Sequence, residues 1–255
     1  MRLFPCVLGG IVLASCTELS LLAQEKATTV SPQGAAVSVP FVGCASDGQV
    51  GPQEAPNGTS TSVSIGLKAA RQLAYYTSAQ GVGVLAPRGW YCFGIYGSGG
   101  DTLFVSPKPI DTANIFSAGQ NGFSGPAIEI SHRFGDTSGR FDVAEVIARV
   151  FPAYKAFVTG VMEGFDLPVP FGPYRNDMLT YKGKTVVEYK TPAETEGLGT
   201  RSRLKKNGSP IAGAAILIGQ TPDLLLLSVR LPADLAGLTS AIVGQAESDA
   251  TRLHN

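Results

Sequence analysis

The sequence predicts an α+β fold in which an antiparallel sheet is flanked by helices and closed by a C-terminal helix. Segments with strand patterning follow one another in runs, and the helical segments form separate blocks, unlike the regular alternation of a βαβ protein. The chain has 31 Gly and 17 Pro among 255 residues, a content typical of turns and strands. Hydrophobic residues make up 44% of the chain, enough to form a core.

The charge balance argues against one broad class of function. Lys and Arg number 20, as do Asp and Glu, so the formal net charge is zero. A general nucleic-acid-binding protein normally carries a basic excess. The sequence therefore predicts no nucleic-acid partner.

The N-terminus has the layout of an export signal. Arg2 precedes an apolar run from Leu3 to Ala14, which is shorter than the roughly 20 residues of a transmembrane helix. The residues Leu13-Ala14-Ser15-Cys16 resemble the bacterial lipobox. This resemblance implies a signal peptide over 1–15 and a lipid on Cys16.

The lipobox resemblance also implies a location. A polar, small-residue-rich stretch over 16–40 is predicted to be a flexible tether between the anchor and the folded domain. Thr17, in place of Asp, resembles the pattern of lipoproteins on the periplasmic face of the outer membrane. The alternative is ordinary cleavage after Ala23, which would give a soluble periplasmic or secreted protein.

Two cysteines lie beyond the predicted signal and lipid site. Cys44 and Cys92 are an even pair in a chain predicted to enter an oxidising compartment, which favours a disulfide. The bond would close a loop of about 48 residues and stabilise the fold by up to about 4 kcal/mol. Because the pair lacks CxxC spacing and nearby histidines, a metal site is disfavoured. We predict no metal and no other cofactor.

Residues 41–255 are predicted to form one domain. A helix over Ile65–Tyr76 is predicted because apolar residues recur at helical spacing after Ser64, a potential cap. Alternating residues predict that Ala127–Phe134 is a half-buried strand with Glu129 and Ser131 facing solvent. Three shorter strands are predicted between them, at Val82–Ala86, Trp90–Tyr96 and Leu103–Val105.

The C-terminal half has stronger local signals. Helices are predicted over Phe141–Val150 and Ala233–Leu253. Pro152 either kinks the first of these or starts a second helix through Ala153 to Met162. Its predicted strands are Met178–Tyr181, Thr185–Lys190, Ile211–Ile218 and Leu224–Leu231. Asn207-Gly208, a favoured hairpin turn dipeptide, predicts a hairpin with residues 201–206 as one arm.

Two resemblances accompany these patterns. The residues Gly83–Trp90 (GVLAPRGW) and the element order over Gly81–Leu253 resemble the Mog1/PsbP-like fold. That fold is shared by photosystem assembly factors, a GTPase-binding factor and bacterial lipoproteins, so it implies an architecture without a single activity. Val39–Gly51 together with Gly83–Ser98 is similar to a family of uncharacterised exported bacterial proteins. Neither resemblance implies active-site residues.

His132 is the one candidate catalytic residue. It is the only well-placed imidazole, so a serine hydrolase would need it as the base, although neither Ser98 nor Ser124 lies in a G-x-S-x-G motif. A histidine packed in the core is the simpler interpretation. The glycine-rich stretch 97–100 is interpreted as a hairpin turn, since no Lys or helix start follows it.

Two groups are candidate binding residues. Arg201, Arg203 and Lys205 would share one face of a strand and could meet anionic headgroups or a cell-wall polymer. A solvated edge strand is the alternative. Trp90 and Tyr91 could line a groove, or they could belong to the core.

The functional expectation is an envelope-anchored lipoprotein that serves as a non-catalytic binding or structural module. Its expected partners are the membrane, through the lipid, and an envelope protein or cell-wall component. An exported hydrolase using His132 and an assembly factor for an envelope complex are the alternatives.

Overall fold

A long, mainly antiparallel sheet organises the chain. The computed structural model describes residues 36–113, 115, 122–163 and 169–253. The strands in chain order are β1 (Val37–Cys44), β2 (Ser46–Gly48), β3 (Ser60–Val63), β4 (Leu73–Ser78), β5 (Val84–Pro87), β6 (Tyr91–Gly97), β7 (Gly100–Ser106), β8 (Ala127–Arg133), β9 (Met178–Tyr181), β10 (Val186–Thr191), β11 (Ile211–Ile218) and β12 (Asp223–Arg230). The helices are α1 (Leu67–Ala70), α2 (Arg140–Val150), α3 (Lys155–Met162) and α4 (Thr239–Leu253).

The strands form two sheets. Eight of them follow the order β2-β6-β7-β8-β12-β11-β10-β9, and four follow the order β3-β1-β4-β5. The predicted α+β class with a closing C-terminal helix is confirmed. The sheets are mixed rather than wholly antiparallel, because β1 pairs with β4 and β2 pairs with β6 in parallel.

The two sheets are joined at a covalent crosslink. Strand β1 ends at Cys44 in the smaller sheet, and the chain enters the larger sheet as β2 after Ala45. Cys44 and Cys92 form the predicted disulfide, with their Cα atoms 5.4 Å apart. Because Cys92 lies in β6, the bond ties the smaller sheet to the larger one.

The larger sheet is covered on both faces. On one face, the smaller sheet and α4 enclose a core that includes Leu73, Ile130 and Ile242. On the other face, α2 and α3 enclose a second core around Val146 and Leu226. Strand β8 is therefore buried on both sides, and Glu129 and Ser131 are only 6% and 5% exposed. The prediction that these two residues face solvent was wrong.

The predicted helix over Ile65–Tyr76 was also wrong. Only Leu67–Ala70 is α-helical, its cap Gly66 makes no side-chain cap bond, and β4 begins at Leu73. The Arg88 guanidinium donates hydrogen bonds to the carbonyls of Ala70 and Leu73, at 2.7 and 3.0 Å. These carbonyls at the helix end thus have a partner from a distant part of the chain, while β4 pairs with β1 and β5.

The C-terminal half matches the sequence prediction more closely. Helix α2, the hairpin β9–β10, the hairpin β11–β12 and helix α4 lie where local patterns place them. Residues 198–201 differ, because they form a 3-10 helix, and Leu204 makes only an isolated bridge to Phe123. Residues 201–206 are thus not a strand, and the predicted sharing of a strand face by three basic residues was wrong.

The described residues belong to one compact unit, Gln33–Asn255. Strand β1 begins at Val37, so the last residues of the stretch predicted as tether, 37–40, are part of the smaller sheet. The predicted signal peptide, Cys16 and the alternative cleavage site at Ala23 lie outside the described residues. In the part of the chain that is described, no helix has the length and apolar character needed to cross a membrane.

Candidate functional site

The basic segment 201–206 is engaged by the protein itself. Arg201 pairs with Glu145 of α2, and Lys206 Nζ lies 3.3 Å from Glu196 Oε1. The Arg203 guanidinium donates to the carbonyl of Ile115 and lies over the Phe104 ring. Lys205 is exposed. Two of the three predicted binding residues, Arg201 and Arg203, therefore have intramolecular partners that reduce their availability to an anionic ligand.

Arg230 organises the same region from below. It is 2% exposed and donates hydrogen bonds to the carbonyls of Phe123 and Gly125, at 3.1 and 3.3 Å, and to the carbonyl of Lys205. A guanidinium presents five N–H donors in a rigid planar fork, whereas a lysine ammonium presents three donors from a single atom. This buried arginine therefore fixes two loops, around 123–125 and 205, at one end of β12. No sequence pattern indicates this role, because Arg230 simply follows a mainly apolar run.

Glu129, in the neighbouring strand β8, contacts the same segment. Its Oε2 accepts a hydrogen bond from the backbone N–H of Arg203 at 2.6 Å. Burial raises the pKa of the Glu129 carboxyl to about 7, against the opposing effects of the Arg203 N–H and the charges of Arg133 and Arg203. We infer that this hydrogen bond holds segment 201–206 against β8.

Trp90 and Tyr91 point to different environments. Trp90 is partly buried and packs against the core between the sheets, and its backbone N–H donates to the Tyr76 hydroxyl at 3.1 Å. Tyr91 is 51% exposed. Successive strand residues face opposite sides, so the two rings do not form one aromatic wall.

His132 lies between two carboxylates at the end of the core between the sheets. Its Nδ1 is 3.8 Å from Asp101 Oδ2, and its Nε2 is 3.6 Å from Asp223 Oδ2, distances longer than a hydrogen bond. The ring packs edge-on against Phe134, with the centroids 5.0 Å apart. The side chain is 17% exposed. Asp223 also accepts the Gly135 backbone N–H at 2.8 Å.

Burial also affects one of these carboxylates. It raises the pKa of Asp101 above its ordinary value, although His132, the Val82 backbone N–H and Arg133 oppose the rise. No Ser or Thr hydroxyl of the described residues is hydrogen-bonded to His132, so a nucleophile–base pair is not formed.

The described residues contain no group of three His, Cys, Asp or Glu side chains arranged to hold a metal ion. Glu129 and His132 lie on opposite faces of β8, as their odd spacing requires.

A groove of about 490 Å³ lies beside α4. Its floor is the end of the larger sheet, including Met178, Thr180 and Lys190. Its wall is the start of α4 and the turn before it, including Gly237 and Ser240. The groove is open because the wall carries small side chains opposite the last two strands. Neither cavity has His132 among its lining residues.

A pair of carboxyls marks one side of this groove. Glu188 lines it and is 2.9 Å from Lys182 Nζ. Burial first, and then the Glu188 charge, raise the pKa of Glu247 to about 7, while Lys182 lowers it. Glu247 belongs to α4 and Glu188 to β10, so the charge interaction between the two acids acts between the helix and the sheet.

The second cavity, of about 350 Å³, lies where the glycine-rich turn meets α2. Gly99 lies close to Ser138 and Gly139, which precede α2, and Arg133 pairs with Asp142 at 3.1 Å. No helix start follows this turn in the sequence, but the fold brings the start of α2 next to it. Asp142, in the first turn of α2, already forms an ion pair with Arg133 there.

No family model matches the chain, and no curated protein or solved structure is significantly similar to it. The resemblances to the Mog1/PsbP-like fold and to exported bacterial proteins stay predictions. The function must therefore be inferred from the molecule's own features.

Proposed function

We propose that the protein is an exported, lipid-anchored module of the cell envelope that binds a partner in the groove beside α4 and performs no catalysis. The observation that carries this choice is the separation of His132 from both cavities. The only imidazole among the described residues is packed between Asp101 and Asp223, whereas the groove beside α4 is lined by small, apolar and hydroxyl side chains together with Glu188 and Lys190. A binding cavity without a nucleophile–base pair favours recognition over hydrolysis.

Export is supported by the disulfide. Cys44 and Cys92 are bonded, and such bonds persist in oxidising compartments. This agrees with the signal-like N-terminus and with Cys16 as the lipid site. Two or more acyl chains would give a stable anchor, since each buried methylene contributes about 0.8 kcal/mol.

The anchor is tested by Cys16→Ala. We expect the full-length protein to fractionate with outer membranes and the variant to become soluble, while Cys6→Ala, the matched control inside the signal, leaves fractionation unchanged. Mass spectrometry of the mature N-terminus would identify the lipid. Cleavage after Ala23, or membrane retention of the Cys16 variant, would refute the lipid anchor.

The non-catalytic assignment is tested at His132. His132→Ala and the wild-type protein should be equally inactive in a panel of ester, amide and glycoside substrates. An activity that His132→Ala abolishes, while the melting temperature is retained, would make the protein a hydrolase.

The groove is tested by placing a photo-crosslinking residue at Thr180. We expect crosslinks to one envelope component in intact cells, and none from the same residue at Thr59, which is exposed but outside the groove. Filling the groove with Ser240→Trp should abolish the Thr180 crosslink. Equal crosslinking from both positions would exclude a specific site.

A role in assembling an envelope complex is the second candidate, favoured by the edge strand β9. This strand ends the larger sheet, and its Met178 and Tyr181 are 54% and 53% exposed. Such an edge offers unpaired backbone groups and apolar side chains to another chain. Tyr181→Lys should abolish copurification of a protein partner, whereas Tyr91→Lys, equally exposed but away from β9, should not. Copurification unaffected by Tyr181→Lys would exclude assembly through β9.

A further inference from the structure

Two Asn-Gly dipeptides with almost the same local sequence lie in very different surroundings. Asn57-Gly58-Thr59 is part of the loop between β2 and β3, and Asn207-Gly208-Ser209 precedes β11. An asparagine before glycine is the sequence most open to attack by the next backbone nitrogen, because glycine has no Cβ to hinder it. The fold therefore decides which of the two can react.

Asn207 is held at both ends of its amide. Its Nδ2 donates to the Ser124 carbonyl at 2.5 Å, and its Oδ1 accepts the Ser209 N–H at 2.8 Å. Its backbone carbonyl also accepts the Glu194 N–H at 2.8 Å. Before this side chain could rotate toward the Gly208 nitrogen, the two hydrogen bonds of its amide group would have to break.

Asn57 has none of these restraints. Its residue is exposed, and within the described structure neither its amide nor the Gly58 N–H has a hydrogen-bond partner. Its neighbours are fixed nonetheless: Gly58 lies against the Phe41 ring, and the Thr59 carbonyl accepts the Phe41 N–H at 3.1 Å.

We propose that Asn57 is a site of spontaneous deamidation in the folded protein and that Asn207 is protected from the same reaction. Hydroxide removes the Gly58 N–H proton, and the nitrogen attacks Asn57 Cγ. The N–Cγ bond forms, the Cγ–Nδ2 bond breaks, and the leaving nitrogen takes a proton from water and departs as ammonia. Water then opens the succinimide at either carbonyl, leaving aspartate or isoaspartate at position 57. No oxidant or reductant is required.

The modification has a structural consequence. Either product adds a negative charge, and isoaspartate also adds a methylene to the backbone between two anchored points. The hydrogen bond from Phe41 to Thr59 joins this loop to β1, so we expect it to weaken after reaction. The β2–β3 loop, which connects the larger sheet to the smaller one, is thus expected to change as the protein ages.

Peptide mapping by mass spectrometry tests the proposal on the full chain after incubation at mildly alkaline pH. In the folded, disulfide-intact protein, the peptide containing Asn57 should gain the mass of exchanging NH₂ for OH roughly tenfold or more faster than the peptide containing Asn207, because two hydrogen bonds must break at Asn207. In denaturant, where only local sequence acts, the two rates should converge. Equal rates in the folded protein, or faster reaction at Asn207, would overturn the proposal.

Two variants assign the change. The acidic charge variants that peptide mapping assigns to position 57 should be absent from Asn57→Gln, whose longer side chain cyclises poorly, and should persist in Asn207→Gln. Variants from Asn121-Gly122, a third such dipeptide in the sequence, are counted separately. Hydrogen exchange at the Phe41 amide should quicken in the aged wild-type protein and stay slow in Asn57→Gln. Charge variants that accumulate equally in Asn57→Gln would show that position 57 is not the site.

Discussion

The region from β1 to β6 and the region from β9 to α4 are built from contacts of opposite range. In the first, β1 pairs in parallel with β4, the chain changes sheet at Cys44, and the disulfide joins residues 48 apart in sequence. In the second, β9 pairs with β10, β10 with β11 and β11 with β12, each the next strand in sequence, and only β12 also pairs with a distant strand, β8. The first region therefore depends on distant partners, and the second depends on local turns.

The difference explains where binding features are found. The groove and the exposed edge both lie in the second region, which the small residues of the α4 wall leave open. The first region closes the core between the sheets and holds Trp90 and Tyr76 in it. We infer that one region stabilises the molecule while the other meets the partner.

The largest expected effect breaks the long-range contact of the first region. Reducing the disulfide, or replacing Cys44 and Cys92 together by Ala, should lower the free energy of unfolding by up to about 4 kcal/mol, because the unfolded chain loses its loop constraint. Urea unfolding under reducing and oxidising conditions measures this. A midpoint that does not move would show that strand pairing alone holds the two sheets together.

The next largest effect is expected at Arg230, which joins two loops to the larger sheet. Arg230→Leu should cost about 3 kcal/mol, since each buried carbonyl left without a partner costs about 1–3 kcal/mol. Arg230→Lys should restore little, because an ammonium donates from a single atom and lacks the spread of the planar guanidinium that contacts three separate carbonyls. Arg201→Leu is the matched control, and its exposed ion pair should contribute less than about 1 kcal/mol. Equal losses of unfolding free energy in the two leucine variants would contradict this role of Arg230.

The second region should respond to pH through Glu247. Its folded pKa of about 7 lies above its ordinary 4.5, so the folded state binds the proton more tightly than the unfolded state. Stability contributed by the protonated group is therefore lost as pH rises from 4.5 to about 7, and it then levels off. Glu247→Gln, which keeps the neutral shape, should flatten this part of the stability profile. Thermal melts across this range measure it, and an unchanged slope would exclude Glu247 as the cause.

The smallest effects oppose each other in sign. Gly244 lies inside α4 with no atom near the position of an added Cβ, so Gly244→Ala should stabilise the protein by about 0.5–1 kcal/mol. Gly43 in β1 lies against the Pro56 carbonyl, where an added Cβ would overlap the oxygen, so Gly43→Ala should destabilise it. Chemical unfolding of both variants tests the pair. Changes of the same sign would show that the two regions do not differ in tightness at these positions.

Local patterns predicted the second region well for a physical reason. Adjacent hairpins need only turn residues such as Lys182-Gly183-Lys184 and alternating side chains, and α4 needs only its apolar stripe. The helix predicted over Ile65–Tyr76 failed because its end is determined by Arg88 and its second half by parallel pairing with β1. Neither partner is adjacent in sequence.

The predictions for individual site residues also succeeded or failed according to whether the deciding partner is close in sequence. The Cys44–Cys92 bond was predicted from number and compartment, which are properties of the chain. The basic residues 201–206 were predicted as a strand surface. Glu196, which is close in sequence, pairs with Lys206, but the partners of Arg201 and Arg203 are the distant Glu145 and the carbonyl of Ile115. Charge in a sequence says nothing about which distant group neutralises it.

The sequence by itself determined the fold class, the disulfide and the hairpins that end in α4, because composition and local backbone preferences act over a few residues. The tertiary structure alone decided that β8 is buried on both faces, that His132 lies between Asp101 and Asp223, and that a groove opens beside α4. Those features depend on which segments meet in space, and burial and charge pairing are fixed only when they do.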